Sequence, residues 1–168
     1  AHVEAPTAGS IMLAGVLLKV GAYGFIRYVI PVVPLGAQSL DLYFIFLSLV
    51  AIVYVGIVAI SQNDMKKLIA YSSISHMGFV TLGFFIIFQL FDNTESSKDL
   101  VISLSGSMYQ IISHGFVSAA LFICVVSIYD LFNTQTISVL IGFLTHMLFY
   151  RLFFVFFAFV SVGLPSII

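Results

Sequence analysis

Apolar residues run along this chain in five long blocks, at about 8–30, 40–60, 68–90, 101–128 and 147–164, and polar residues collect between them. At about 1.5 Å of rise per residue, a helical block of roughly twenty residues crosses the ~30 Å hydrocarbon core of a bilayer. The pattern therefore predicts an all-α membrane protein of five transmembrane helices. A membrane β-barrel would instead show strands of about ten alternating residues. Pro31, Pro34 and Gly36 end the first block, and Ser61-Gln62-Asn63-Asp64 parts the second from the third. The stretch from Asp92 to Asp99 is the most polar loop, and Asp130 to Thr136 opens a long link to the last helix. Residues 137–146 are apolar enough to read as an interfacial segment, and Leu164-Pro165 interrupts the fifth helix.

Composition agrees: 61% of residues are hydrophobic, 8% are charged, and the mean hydropathy is +1.19. No ordinary water-soluble domain has such values. Six Lys and Arg against seven Asp and Glu leave no basic surface for nucleic acid. The single cysteine, Cys124, excludes a disulfide or a Cys-based metal site within the chain and reads as a packed thiol. The opening Ala1-His2-Val3-Glu4-Ala5-Pro6 has neither an initiator methionine nor a basic-then-apolar leader, so a fragment or processed piece is expected. An odd number of spans puts the termini on opposite sides. Lys66, Lys67 and Arg151 share the amino-terminal side, while Arg27 and Lys98 share the other with most of the carboxylates. The positive-inside tendency turns the Lys66-Lys67 loop toward the cytoplasm or mitochondrial matrix.

Against this background Lys19 stands out. It lies near the middle of the first block, about eleven residues or roughly 16 Å of helix from either end, too deep for easy snorkelling. A cation there costs about 2.5–3.5 kcal/mol on insertion scales and marks a functional hypothesis. His76 and His114 are the other ionisable groups at membrane depth. Around His114, the positions Ser103, Ser107, Gln110, His114 and Ser118 recur every three or four residues and share one helix face. Ser72, Ser75 and His76 form a shorter counterpart on the third helix. Lysine in an apolar setting and histidine both exchange protons near neutral pH, so hydroxyls and water joining such groups suit proton transfer. Sodium would want anionic or carbonyl oxygens instead. The plainer reading of the serines is hydrogen bonding between neighbouring helices. Likewise, Lys66 and Lys67 read as topological anchors, His2 and His146 as solvated interfacial residues, and the Phe and Tyr residues as packing and lipid contact.

Three runs of residues carry a resemblance. The first is Ala1-His2-Val3-Glu4-Ala5-Pro6-Thr7-Ala8-Gly9-Ser10, followed by Leu17-Leu18-Lys19 and Gly21-Ala22-Tyr23-Gly24-Phe25-Ile26-Arg27. The others are the run from Asp64 through Lys66-Lys67 and Tyr71-Ser72-Ser73-Ile74-Ser75-His76 to Met77, and Ile112-Ser113-His114-Gly115-Phe116 with Ser118-Ala119-Ala120-Leu121-Phe122. Together they resemble the NADH dehydrogenase subunit 4 branch of the antiporter-like membrane subunits of respiratory complex I. The resemblance implies a proton-pumping membrane-arm subunit in the mitochondrial inner membrane, with Lys19, His76 and His114 as the proton relay and Ser72, Ser75, Ser107, Gln110 and Ser118 as supporting polar groups. It implies no cofactor or metal in this chain, because NADH, FMN, iron–sulfur clusters and ubiquinone belong to other subunits. The implied partners are the other membrane-arm subunits, including subunits 2 and 5, the remaining parts of subunit 4, and lipid. The family fold has about fourteen helices, of which this chain resembles helices eight to twelve. After Leu164-Pro165 the family's usual Gly-Thr is replaced by Ser166-Ile167, and the loop after Tyr129-Asp130 lacks the family's usual basic residues.

Three other readings share some of these features. A multisubunit cation/proton antiporter or a membrane-bound hydrogenase has the same fold and central lysine. A structural scaffold without pumping would retain the helices alone. A retinal-type receptor would use the lysine as a Schiff base, but the chain lacks tryptophan, and its carboxylates fall in loops or at the ends of the apolar blocks rather than at membrane depth.

Overall fold

The computed structural model describes residues 7–93, 97–132, 136–137 and 147–162. Helices α1 (Ala8–Val32), α3 (Asp41–Ile60), α4 (Met65–Asn93) and α5 (Ser97–Phe132) are long and apolar enough to cross a membrane. Between α1 and α3 lies the short helix α2 (Pro34–Ser39), and α6 (Leu148–Val162) follows the long link. The fifth apolar block thus appears as a 15-residue helix, about 22 Å long at ~1.5 Å per residue. The expected break at Pro165 and interfacial residues 138–146 lie outside the described residues, as do His2 and His146. Helix α4 starts three residues before its apolar block, taking Lys66 and Lys67 into its first turn. Polar side chains do not interrupt a backbone hydrogen-bond ladder, so hydropathy underestimates the helix there.

Local chemistry explains the ends. Pro31 has no N–H for the carbonyl four residues back, and its ring needs room there. That carbonyl belongs to Arg27, inside a π turn over Phe25–Val29. The chain leaves the helix at Val33, with φ −128° and ψ 57°, and Pro34 opens α2, where a missing N–H is harmless. Asp41 begins α3, its carboxylate accepting from the Leu42 N–H at 2.5 Å and from Gln89 Nε2 of α4 at 2.8 Å. At the far end of α3, Ser61 Oγ and Gln62 Nε2 both donate to the Val58 carbonyl, at 2.8 and 3.0 Å.

Successive helices pack side by side. Helix α3 meets α4 through small and hydroxyl residues: Ser48 Oγ is 2.8 Å from Thr81 Oγ1, Ser75 Oγ donates to the Ile52 carbonyl at 3.0 Å, and Gly78 faces the α3 backbone. Such residues let backbones approach closely where lipid offers no hydrophobic drive. Helix α4 meets α5 similarly, with Ser103 Oγ donating to the Gly83 carbonyl at 2.7 Å. Helix α1 crosses α5 where Gly15 faces Gly115 and Ala119.

The buried apolar residues form two clusters. One gathers Ala14, Ile69, Val117, Leu121, Phe122 and Val125 from α1, α4 and α5. The other gathers Ala22, Ala37, Val80, Phe84 and Phe85 from α1, α2 and α4, with Phe44 stacked on Phe85 at 4.2 Å between centroids. Ala14 and Ala22 both lie on α1, one in each cluster, with Lys19 between them. The outer faces are strongly apolar, as Phe46, Tyr54 and Ile57 of α3 and Phe149 and Phe153 of α6 illustrate. Lipid or further protein suits such faces.

Candidate functional site

The layer between the two apolar clusters is polar. From α1, Lys19 extends toward α5, and its Nζ lies 2.9 Å from Nδ1 of His114, 95 residues away in sequence. Its ammonium also donates to the Ala14 carbonyl in its own helix. The Lys19 stem passes close to Gly115: a Cβ built there would lie 3.6 Å from Lys19 Cε, in van der Waals contact. The acceptor Ala14 stands within a second π turn, Leu13–Leu17, where the Leu18 N–H reaches back five residues to Leu13. Turns of this kind depart from the 3.6-residue repeat and recur at functional sites.

His114 is 7% exposed, so its imidazole must find its partners within the protein. Its ring centroid is 5.5 Å from that of His76 on α4, tilted by 46°. Gln110, one turn from His114 on α5, brings Nε2 to 3.5 Å from His76 Nδ1. Gln110 and His114 thus flank His76 from one helix face, as their spacing of four requires. The order is Lys19, His114, His76, Gln110.

Beside this series is a cavity of about 540 Å³ between α4, α5 and α6, lined among others by His76, Ser103, Ser107, Gln110, Ser113 and His114. One wall carries polar groups that can hydrogen-bond water, while most of the lining is apolar. The α5 stripe therefore has two uses. Ser103, Ser107, Gln110 and His114 face the cavity, whereas Ser118 turns to α1.

Not every candidate joins the cluster. Ser72 Oγ donates to the Ile69 carbonyl at 2.9 Å in its own helix, and Ser75 is directed at α3. The two adjacent lysines also part company. Lys67 pairs with Asp64 at 2.9 Å on the outside, while Lys66 is 3% exposed with its Nζ 5.0 Å from the Tyr129 ring centroid. Of the two lysines read as topological anchors, Lys67 lies at the surface, whereas the α4 helical turn directs Lys66 inward onto α5. Among the described residues, no three His, Cys, Asp or Glu side chains gather where a metal ion could bind.

The pair at the centre has a definite chemistry. An ammonium only donates, so opposite charged Lys19 the Nδ1 of His114 accepts and the ring is neutral with its proton on Nε2. Opposite a neutral Lys19 amine, the same contact holds with Nδ1–H as donor. One proton can sit on either side of a 2.9 Å contact without the helices moving. Sequence reasoning marked the side chains of this pair but missed the Ala14 carbonyl, which is backbone.

All of the chain, residues 1–168, matches the family described as NADH:quinone oxidoreductase/Mrp antiporter, TM. The chain belongs to that family. Among relatives, it is 48% identical to NADH-quinone oxidoreductase subunit M of Rhodobacter capsulatus, over 99% of this chain and 30% of that protein. It is 43% identical to NADH-ubiquinone oxidoreductase chain 4 of Chondrus crispus and 41% identical to that of Marchantia polymorpha, in each case over 99% of this chain and 31% of the relative. The chain thus spans about 30% of the length of the curated relatives it matches. Within this family segment, the polar layer of α1, α4 and α5 brings together Lys19, His114 and His76.

Proposed function

We propose that this chain is part of a proton-translocating membrane-arm subunit of an NADH:quinone oxidoreductase, and that Lys19, His114 and His76 relay protons within the membrane. The observation that carries the reading is the 2.9 Å contact between Lys19 Nζ and His114 Nδ1, continued to His76 and a polar cavity wall. The names of the relatives favour the quinone-linked complex over a cation/proton antiporter. In this reading the redox groups NADH, FMN, iron–sulfur clusters and ubiquinone lie on other subunits. The partners are the other membrane-arm subunits, and the remainder of the subunit supplies the carboxylates that tune Lys19. The membrane is the mitochondrial inner membrane, with the Lys66-Lys67 turn on the matrix side.

Lys19→Ala, introduced into the full-length subunit of the assembled complex, tests the reading. Proton uptake into vesicles driven by NADH oxidation should fall by at least about tenfold, the size of effect expected from losing a positioned proton carrier. The amount of assembled complex should change little. Normal pumping by the assembled variant would refute the relay.

A further inference from the structure

We infer that Ser118 is a positioning residue for the Lys19–His114 proton transfer, acting through the carbonyl of Ala14. The inference rests on the relay reading and assigns a role to a group that touches neither histidine.

Ala14 is fully buried, yet two side-chain donors converge on its carbonyl. One is the Lys19 ammonium, from the same helix. The other is the hydroxyl of Ser118 on α5, at 3.4 Å. Ser118 is itself only 2% exposed, and its hydroxyl also lies 3.3 Å from the carbonyl of Gly115. A hydroxyl has one proton, so Ser118 serves one of these two carbonyls fully at a time. Rotation about a single side-chain bond moves its proton between them.

The transfer makes that rotation useful. As the proton moves, an N–H bond of Lys19 breaks and an N–H bond forms at His114 Nδ1, while the electron pair stays on Nζ. That pair already points at the new Nδ1–H, which now donates to it. The amine's remaining bond to Ala14 changes from a charge-assisted one to a neutral one of roughly half the strength. Ala14 has no exposed surface, and Ser118 is the other side-chain donor at its carbonyl. The Ser118 proton, turning from Gly115 to Ala14, offsets the loss, and it turns back when Lys19 is recharged. The two proton states of the pair are thereby brought closer in energy, which is what a relay needs.

Helices α1 and α5 are in van der Waals contact where they cross. A Cβ at Gly15 would lie 3.6 Å from that of Ala119, and one at Gly115 would lie 3.5 Å from the Gly15 carbonyl. The titratable groups facing Lys19 are His114 on α5 and, beyond it, His76 on α4. Among the described residues no carboxylate pairs with Lys19. The simpler role for Ser118 is bonding back to its own helix, as serines in membrane helices commonly do. That role predicts no change in proton chemistry.

The test uses the intact complex reconstituted in vesicles, comparing Ser118→Ala, Ser118→Thr and Lys19→Ala. Ser118→Ala should slow NADH-driven proton uptake about fivefold, the effect of one neutral hydrogen bond missing from the transition state. It should also displace the pH profile of that rate while the complex assembles normally. Ser118→Thr, which restores the hydroxyl, should recover both rate and profile. An unchanged rate and profile in Ser118→Ala would overturn the inference. So would a slower rate with an unchanged profile, or one that Ser118→Thr fails to restore in assembled complex, since these mark a packing role. Normal pumping in Lys19→Ala would refute the relay itself, whereas a defect in Lys19→Ala beside normal Ser118→Ala refutes only the role of Ser118.

Discussion

A cation withdrawn from water is tolerable only where it has acceptors, and half-buried Lys19 and buried Lys66 find different ones. Lys19 has a carbonyl and an imidazole, Ala14 and His114, so it can both hold and release a proton. Lys66 has the face of an aromatic ring, Tyr129, which stabilises a cation but takes no proton. The difference gives a prediction at His114. His114→Gln retains a hydrogen-bonding group opposite Lys19 but cannot carry a proton. NADH-driven proton uptake should fall by at least about tenfold with assembly retained; stable pumping, measured with a pH-sensitive dye, would show that the imidazole is dispensable. At this scale the sequence was informative wherever rarity is a signal. A lysine amid twenty apolar residues, and a histidine on a serine stripe, are conspicuous because each costs free energy that apolar residues would not. Ser72 and Ser75 show the limit. Both are polar residues near His76, but a helix turns 100° per residue, and neighbours of His76 in sequence face other partners.

Among the elements, α3 and α4 illustrate how small residues set helix separation. A Cβ at Gly78 would come within 3.0 Å of Ile52 Cγ1, 3.2 Å of the Ser48 carbonyl and 3.3 Å of Ala51 Cβ. The carbonyl cannot give way without moving α3. Gly78→Leu should therefore push the helices apart, break the Ser48–Thr81 contact one turn away and destabilise the subunit by about 1–3 kcal/mol, the usual cost of overpacking. A reduced yield of assembled complex on native gels, and a lower thermal midpoint for what remains, would register it; full assembly at the normal midpoint would show that the crossing is looser than it looks. Helix number and position were largely legible, since apolar length is additive along a chain. The π turns of α1 were not, although Pro31 is four residues beyond Arg27 in one of them and supplies its physical reason. The turn at Leu13–Leu17 has no comparable residue to announce it. It is visible only in the backbone, beside the lysine that uses its carbonyl.

For the molecule as a whole, the arrangement is a polar layer between two apolar clusters, with α1 running through all three. The clusters hold the helices in register, so the 2.9 Å Lys19–His114 contact depends on packing several turns away. Lys66 belongs to that framework. It joins the start of α4 to the end of α5, where the Ile137 N–H also returns to the Asn63 carbonyl at 3.0 Å. Lys66→Met keeps the apolar stem and removes the charge, and should lower stability by about 0.5–2 kcal/mol, as for a partly desolvated cation–π contact. Membrane topology should be unchanged, because exposed Lys67 remains. Thermal inactivation of the assembled complex reads the first, and accessibility of a cysteine placed in the 61–64 turn reads the second; inversion of the helices would refute the framework role. By itself, the sequence determined the membrane class, the approximate helices and the residues unlikely to be inert, because hydropathy and the cost of burying charge act locally along the chain. Only the tertiary structure decided which of those residues meet. Lys19 reaches His114 across 95 positions through a crossing of glycines on two helices, and the direction in which each side chain points there depends on how whole helices pack.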